Sequence, residues 1–280
     1  MNARTTEWIT ALPRGRTARV SALRVGYEVR AYFRQPDTLF FTFFFPVLML
    51  AIFATAFSSQ EFGPPDAPIS AAAYYLPGML AAGILLSGLQ NLGVDIAVER
   101  SDGTLKRYAG SPMPIVSYFM GKMGQVAVTA TLQAALLIVI ARAVWNVDLP
   151  GSVQAWATFA WVFLLGVFCS AVLGIAVSGL PRSGKSAQSV IVPIALVLQF
   201  ISGVYISFNI LPGWLQAIAS VFPLRWTAAG MRAVFLPEAF EASEPGGSWG
   251  LEWVAIACAS WLVVGLIVCA MTFRWNPKDR

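Results

Sequence analysis

Side chains that commonly do chemistry in proteins are sparse in this sequence. Charged residues make up 12% of the 280 residues, and the chain contains no histidine and 3 cysteines. Cys169, Cys258 and Cys269 each fall inside an apolar run, and none forms a CxxC pair. We therefore interpret them as small packing residues and expect no disulfide, no metal site and no catalytic residue on this chain.

One segment matches a nucleotide-binding motif letter for letter. Residues 179–186 read GLPRSGKS, which fits the G-x-x-x-x-G-K-[ST] pattern of a phosphate-binding loop. Such a loop needs a preceding strand of a parallel sheet and a following helix that faces the nucleotide. Here the segment joins two apolar runs, so we interpret it as a tight cytoplasmic turn whose Arg182 and Lys185 lie at the membrane surface.

Apolar runs of this kind recur along the whole chain, of which 57% is hydrophobic. Each run reaches about 18 residues or more, enough to cross a hydrocarbon core about 30 Å thick, and a helix satisfies its own backbone hydrogen bonds there. The sequence therefore predicts an all-α membrane protein with six transmembrane helices, and not a soluble enzyme. The predicted spans are 39–56, 75–97, 115–141, 155–180, 186–206 and 249–273.

The distribution of cations predicts the topology, because Lys and Arg are retained on the cytoplasmic side. Of the 19 cations, all but Arg142, Arg225 and Arg232 lie in the N-terminal segment, the second and fourth loops with their flanks, or the tail. We expect a cytoplasmic segment at 1–38, a transmembrane domain at 39–273 and a cytoplasmic tail at 274–280. The basic pI then reflects topology and contact with anionic lipid, and we expect no nucleic-acid partner.

The stretch before the first span predicts an amphipathic helix in the membrane interface. Between residues 20 and 36, apolar side chains recur at helical spacing with arginines interleaved. The apolar positions are Val20, Leu23, Tyr27 and Ala31. An exposed basic tail, attracted to lipid only by its charge, is the alternative interpretation.

The second loop, residues 99–112, reads ERSDGTLKRYAGSP and predicts a short charged helix that begins near Gly103 and ends at Gly110 and Pro112. This loop resembles the coupling segment of the type-2 ABC exporter permeases. Residues 30–37 resemble the end of that family's interfacial helix, and LPGWL at 211–215 with FPL at 222–224 resembles its signature after the fifth span. The resemblance covers nearly the whole chain and is closest to bacterial drug and antibiotic export permeases.

The resemblance implies the inner-membrane permease subunit of an ATP-driven exporter, paired with a second permease copy. No segment of the sequence is free to form an ATPase domain, so we expect ATP and Mg on a separate ATPase subunit and no cofactor here. The implied ATPase-coupling residues are Glu99, Arg100, Asp102, Gly103, Thr104, Leu105, Lys106 and Arg107. Residue types alone leave open a solvated loop with no partner.

Polar residues inside spans are candidates for a substrate path, because they are costly in lipid. In the second span, Gly83, Ser87, Asn91 and Asp95 are four residues apart and share one helical face. We expect Asp95 to be paired or hydrated. For each of these residues, a role in helix packing or capping is the alternative. The scarcity of charged residues within the spans favours a lipophilic or amphiphilic cargo.

After the fifth span, residues 210–221 and 224–236 are apolar but too short to cross a membrane. Pro212 and Pro223 divide them into two half-length segments, with Trp214 in the first and Arg225 in the second. The family resemblance implies re-entrant external helices that cap the path. We expect Arg225 and Arg232, which share a face, to meet lipid phosphate or Glu238; a hairpin lying on the surface is the alternative.

Two other functions remain open at the level of the sequence. An ion-gradient-driven transporter or channel needs ionisable groups within its spans, and we identify almost none beyond Asp95. A structural membrane anchor for another complex is compatible with the same residues.

Overall fold

A computed structural model describes residues 14–272 of the chain. Within them, six helices are long and apolar enough to cross a membrane, which confirms the predicted all-α class. The helices are α1 (Arg14–Tyr32), α2 (Pro36–Ala56), α3 (Ala71–Ser101), α4 (Thr104–Ala109), α5 (Ile115–Trp145), α6 (Val153–Val177), α7 (Gly184–Ile201), α8 (Gly213–Val221), α9 (Pro223–Phe235) and α10 (Leu251–Thr272). The six candidate spans are α2, α3, α5, α6, α7 and α10.

Several helix ends differ from the predicted spans. Helix α7 ends at Ile201 and not at residue 206, because the chain turns at Gly203, where φ is +79°. Helix α5 runs past residue 141 to Trp145 and stops at Asn146 in a left-handed conformation. The first 13 residues lie outside the described residues, and so do the predicted end of the sixth span at residue 273 and the tail.

Helix α3 is the centre of the fold and contacts α2, α5, α6, α7 and α9. Most of its side chains from Ala71 to Leu92 are buried. Small residues permit this packing, since a side chain at Gly83 would collide with α5 and one at Gly88 with α6. The outer helices α2, α7 and α10 instead expose apolar side chains, as expected where a helix faces lipid.

Halfway along α3 the backbone widens into a π-helical segment, Leu86–Leu92. The Ser170 hydroxyl of α6 accepts a hydrogen bond from the Leu89 N–H at 3.0 Å and donates one to the Ile84 carbonyl at 3.1 Å. This hydroxyl satisfies backbone groups that a regular α-helix would pair internally. The spacing of apolar residues gives no indication of this segment.

Helix α1 lies along α5, where Gly121 and Gly124 let the two backbones approach. Leu23 and Tyr27, on the opposite face of α1, are 67% and 57% exposed. A helix with this outward apolar face is present as predicted, although it ends at Tyr32 and not at residue 36. Its position in the membrane interface stays a prediction.

Two short helices, α8 and α9, follow the fifth span, as the sequence predicts. At 1.5 Å per residue they are roughly 14 and 20 Å long, well short of a membrane crossing. Helix α9 is buried against α3, α6 and α10, and Pro223 occupies its first turn, where proline needs no hydrogen-bonded N–H. Their external, re-entrant position stays a prediction.

Candidate functional site

A buried ionic cluster joins α1, α3 and α5 near the C-terminal end of α3. Lys122 lies at its centre, and its ammonium contacts three carboxylates. The Nζ atom is 3.0 Å from Oε2 of Glu28 and 2.7 Å from Oε1 of Glu99, and it also pairs with Asp95. Asp95 and Glu99 are one helical turn apart, so α3 presents both to the same ammonium.

Burial of the cluster is uneven. The side chains of Lys122 and Glu28 are 1% and 6% exposed, that of Glu99 is 15% exposed and that of Asp95 is 40% exposed. Glu28 also pairs with Arg24. With all five groups ionised, the cluster carries three negative and two positive charges. Asp95 is predicted to be either paired or hydrated, and its ion pair with Lys122 confirms that it is paired.

The three carboxylates alone resemble a metal site, since their oxygen atoms lie within 4.8 Å of one another. The ammonium of Lys122 contacts all three and supplies the cation that such a group needs. The positive charge among the three carboxylates is thus the ammonium of Lys122.

Aromatic side chains extend the cluster towards the second loop. The Tyr118 hydroxyl donates to Oε2 of Glu99 at 2.6 Å. The Arg24 guanidinium lies over the ring of Tyr108, 4.4 Å from its centroid. Burial would lower the pKa of Arg24, but Glu28 and then Tyr108 outweigh it and raise that pKa overall.

Helix α4 occupies the centre of the predicted coupling segment. It begins after Gly103, whose φ of +80° suits glycine, and ends before Gly110 as predicted. Leu105 is 1% exposed and anchors α4 to the protein, whereas Lys106 and Arg107 are exposed.

The remaining coupling residues include some that contact other helices and some that are exposed. Glu99 belongs to the ionic cluster, and Arg100 donates to the carbonyl and the hydroxyl of Ser178 at 2.9 and 3.3 Å, at the C-terminal end of α6. Asp102 is exposed and accepts the Thr104 N–H at 2.8 Å. Burial alone would raise the pKa of Asp102, but its hydrogen bonds with Thr104 outweigh this and lower that pKa.

The four predicted substrate-path residues have different surroundings. Gly83 lies against the side chain of Gln133, and Ser87 is 1% exposed. Asn91 donates to the hydroxyl of Thr42 at 2.8 Å and to that of Tyr32 at 3.3 Å, which ties α3 to α2 and α1. Asp95, as described above, pairs with Lys122. Contact of this face with cargo stays a prediction.

The predicted external residues lie around α8 and α9. Pro212 precedes α8, and Trp214 in its first turn is 66% exposed. Arg225 is buried in the first turn of α9. The predicted pairing of Arg225 and Arg232 with Glu238 is wrong: both arginines approach Glu244, the residue that follows the 3₁₀ turn Glu238–Ser243. Their contact with lipid phosphate, the other expectation, stays a prediction.

The family comparison is consistent with this arrangement of six spans and an exposed loop helix. The family described as ABC-2 family transporter protein matches residues 66–265. The chain belongs to the ABC-2 transporter family. Its members are transmembrane permease subunits that work with ABC ATPase partners, and the six apolar helices make this chain a multi-pass membrane protein.

Curated relatives of this chain include the "Probable multidrug ABC transporter permease YbhR" of Escherichia coli K12 and its counterpart in Escherichia coli O157:H7. Each is 22% identical over 166 residues, which cover 59% of this chain and 44% of the relative. The aligned region is thus less than half the length of these relatives.

Sequence reasoning misses the central residue of the ionic cluster. By position alone, Lys122 belongs to the flank of the second loop, as one more cation at the membrane surface, and nothing singles out Glu28. The signal that could have found them is the pair Gly121 and Gly124, since small residues beside a lysine in an apolar helix allow another helix to bring a counter-ion.

The segment that resembles a phosphate-binding loop has the predicted context. It follows helix α6 and leads into α7, and no strand of the described residues precedes it. Ser183 and Ser186 form a capping box, in which each hydroxyl accepts the backbone N–H of the other residue. The N–H groups of these two serines are therefore not directed at a ligand.

Proposed function

We propose that this chain is the transmembrane permease subunit of an ATP-driven exporter, and that a separate ATPase subunit docks on α4. The observation that carries the proposal is the construction of α4. Its outer face presents Lys106 and Arg107 to solvent, while Leu105 is buried below. A short exposed helix with a fixed base suits a surface that receives force from a partner.

Movement of α4 would reach the spans by two direct connections. Glu99 links the start of the loop to Lys122 of α5, and Arg100 links it to the end of α6 through Ser178. A third contact runs from Tyr108, at the end of α4, to Arg24 of α1. Displacement of the loop therefore acts on α1, α3, α5 and α6 together.

We propose that the permease lies in a bacterial inner membrane with both termini in the cytoplasm, and works as a dimer with a second permease copy. The exposed apolar faces of the outer helices suit lipid or such a copy. The cargo is a lipophilic or amphiphilic drug, antibiotic or lipid. The apolar composition of the six spans and the multidrug description of the curated relatives support this choice.

The first test is isolation of the tagged chain from its native membranes with an ABC ATPase subunit bound. In that complex, the double variant Lys106→Ala, Arg107→Ala should lose most of its ATP hydrolysis stimulated by amphiphilic dyes, because both side chains are on the docking surface. Membrane insertion should be unaffected, since neither side chain is buried.

The matched control is the double variant Arg182→Ala, Lys185→Ala, which removes the same two charges from the neighbouring turn. It should retain stimulated hydrolysis and nucleotide binding. Failure to recover any ATPase with the chain, or equal stimulation in the α4 variant and the wild type, would refute the assignment.

A second candidate function is transport driven by an ion gradient. The observation in its favour is the cluster of Lys122, Asp95 and Glu99, since ionisable groups within spans are what ion coupling requires. In proteoliposomes without ATPase, dye transport that follows an imposed proton gradient and disappears in Glu99→Gln would favour this function. Transport only with ATP and the ATPase favours the first.

A further inference from the structure

A second buried ionic group lies at the other end of α3, between α9 and the chain that follows it. Arg232 pairs with Glu244 through two contacts, Nε to Oε1 at 2.5 Å and Nη2 to Oε2 at 3.1 Å. Arg225 approaches the same Oε2 atom at 3.6 Å. The two arginines are 4% and 8% exposed, and the Glu244 side chain is 10% exposed.

This group has fewer negative charges than its cations require. Two guanidinium groups share one carboxylate, which leaves one positive charge in a buried position. The Nε and Nη1 atoms of Arg225 are buried and have no hydrogen-bond partner among residues 14–272. The Arg225 guanidinium rests on the ring of Phe208, 4.3 Å from its centroid, which compensates only in part.

A cavity of about 50 Å³ adjoins this group. Glu244 and Arg232 form its charged wall, and Phe208, on which Arg225 rests, forms another. The remaining lining is largely aromatic, with Tyr74, Tyr75 and Tyr205. While Glu244 is paired with Arg232 this wall is neutral; without Glu244, the Arg232 guanidinium would face a largely aromatic space, which suits a small anionic group attached to an apolar body.

The segment that carries Glu244 lies between a 3₁₀ turn and several glycines. Glu244 follows the 3₁₀ turn Glu238–Ser243 and precedes Gly246, Gly247 and Gly250, all with positive φ. Glycine regains more backbone freedom on release than other residues do, which favours movement of this segment. Departure of Glu244 would free the Nε and Nη2 atoms of Arg232 towards the cavity.

We propose that this cavity is a binding site for an oxyanion, a phosphate or a carboxylate, which displaces Glu244 and binds to Arg225 and Arg232. Glu244 thus occupies the position of the ligand as an internal carboxylate. The site shares no residue with the proposed ATPase coupling and lies about 30 Å along α3 from the Lys122 cluster, so its binding test can fail or succeed separately.

The test uses the full chain purified into phosphatidylcholine nanodiscs and titrated calorimetrically with inorganic phosphate, and in parallel with short-chain phosphatidylglycerol. Glu244→Gln should bind about tenfold more tightly, because the internal competitor loses its charge. Arg225→Gln should bind about tenfold more weakly, and Arg225→Lys should fall between it and the wild type. Arg142→Gln, the matched control, removes one arginine charge from an exposed pair and should bind like the wild type.

Binding of phosphate with this order of variants identifies a free anion as the ligand, and binding of phosphatidylglycerol alone, with the same order of variants, identifies a lipid headgroup. Either result supports the site. Equal binding by Glu244→Gln and the wild type, or equal losses in Arg225→Gln and Arg142→Gln, would overturn it. If Arg225→Gln does not fold, the tighter binding expected of Glu244→Gln decides the question.

Discussion

Replacement of Lys122 by methionine is the most direct perturbation of the ionic cluster, because it keeps a flexible stem of similar length and removes the charge. Three carboxylates then lose their shared cation. Loss of one partner from a buried ion pair costs about 3–5 kcal/mol. Asp95 is 40% exposed and can be hydrated, and Glu28 keeps Arg24, so Glu99 accounts for most of the loss. We expect the free energy of unfolding to fall by about 3 kcal/mol, at the lower end of that range.

The assay is reversible unfolding in mixed micelles by increasing fractions of sodium dodecyl sulfate, followed by circular dichroism. The double variant Lys122→Met, Glu99→Gln should be more stable than Lys122→Met alone, because the unpaired carboxylate is removed while the new amide oxygen still accepts the Tyr118 hydroxyl. We expect a coupling energy of about 1–3 kcal/mol between the two substitutions.

The matched control is Arg142→Met, whose partner Asp148 is fully exposed, so that its stability should equal that of the wild type. The reasoning is wrong if Lys122→Met unfolds like Arg142→Met. It is equally wrong if Glu99→Gln adds to the loss in the Lys122→Met background, since the carboxylate would then stabilise the fold by some other contact.

Three further predictions concern α3. Gly174→Ala should lower the free energy of unfolding by about 1–3 kcal/mol, because the new methyl would meet the backbone of Gly88 in α3. Gly26→Ala is the comparison on α1: the new methyl meets open space, so this variant should raise the free energy of unfolding by about 0.4–1 kcal/mol. Thermal unfolding measures both. Ser170→Ala should cost about 1–3 kcal/mol by leaving the Leu89 N–H without its acceptor, which hydrogen exchange at that amide can detect. With the native cysteines replaced, Asn91→Cys should react with a water-soluble thiol reagent faster than Ser87→Cys, because Ser87 is 1% exposed in this conformation, and labelling of Ser87→Cys only during ATP turnover would place it on a path that opens.

The hydrophobic runs are sufficient to predict the number and order of the spans, because a helix that faces lipid must be apolar along its length. The end of α3 shows where this signal fails. Hydropathy predicts that the span ends at residue 97, two residues after Asp95, yet the helix continues through Glu99 to Ser101. The charges of Asp95 and Glu99 are tolerated because Lys122 compensates them. A hydropathy scale scores each residue by itself and does not include such a partner.

Tertiary contacts account for the other differences. Nothing in the spacing of Glu238 and Glu244 indicates which carboxylate meets the arginines of α9, since a 3₁₀ turn decides it. The π-helical segment depends in the same way on Ser170, a residue of another helix. Short local motifs are more informative: Gly103 and Gly110 bound α4 as predicted, and at Gly103 the reason is local, since its left-handed backbone suits glycine.

The contacts of α3 are unequal in a way that bears on the predicted substrate path. Towards α6, the backbones meet at Gly88 and Gly174 and the Ser170 hydroxyl both donates and accepts, so these two helices are closely packed and joined by hydrogen bonds. Towards α5, the amide atoms of Gln133 and the hydroxyl of Ser87 are buried without a partner among the described residues. Each such group costs about 1–3 kcal/mol, a cost that water or a polar cargo group would remove. Opening of the contact between α3 and α5 would recover that cost, but it would also break the ion pairs of Lys122 with Asp95 and Glu99, so the Lys122 cluster is placed to control it.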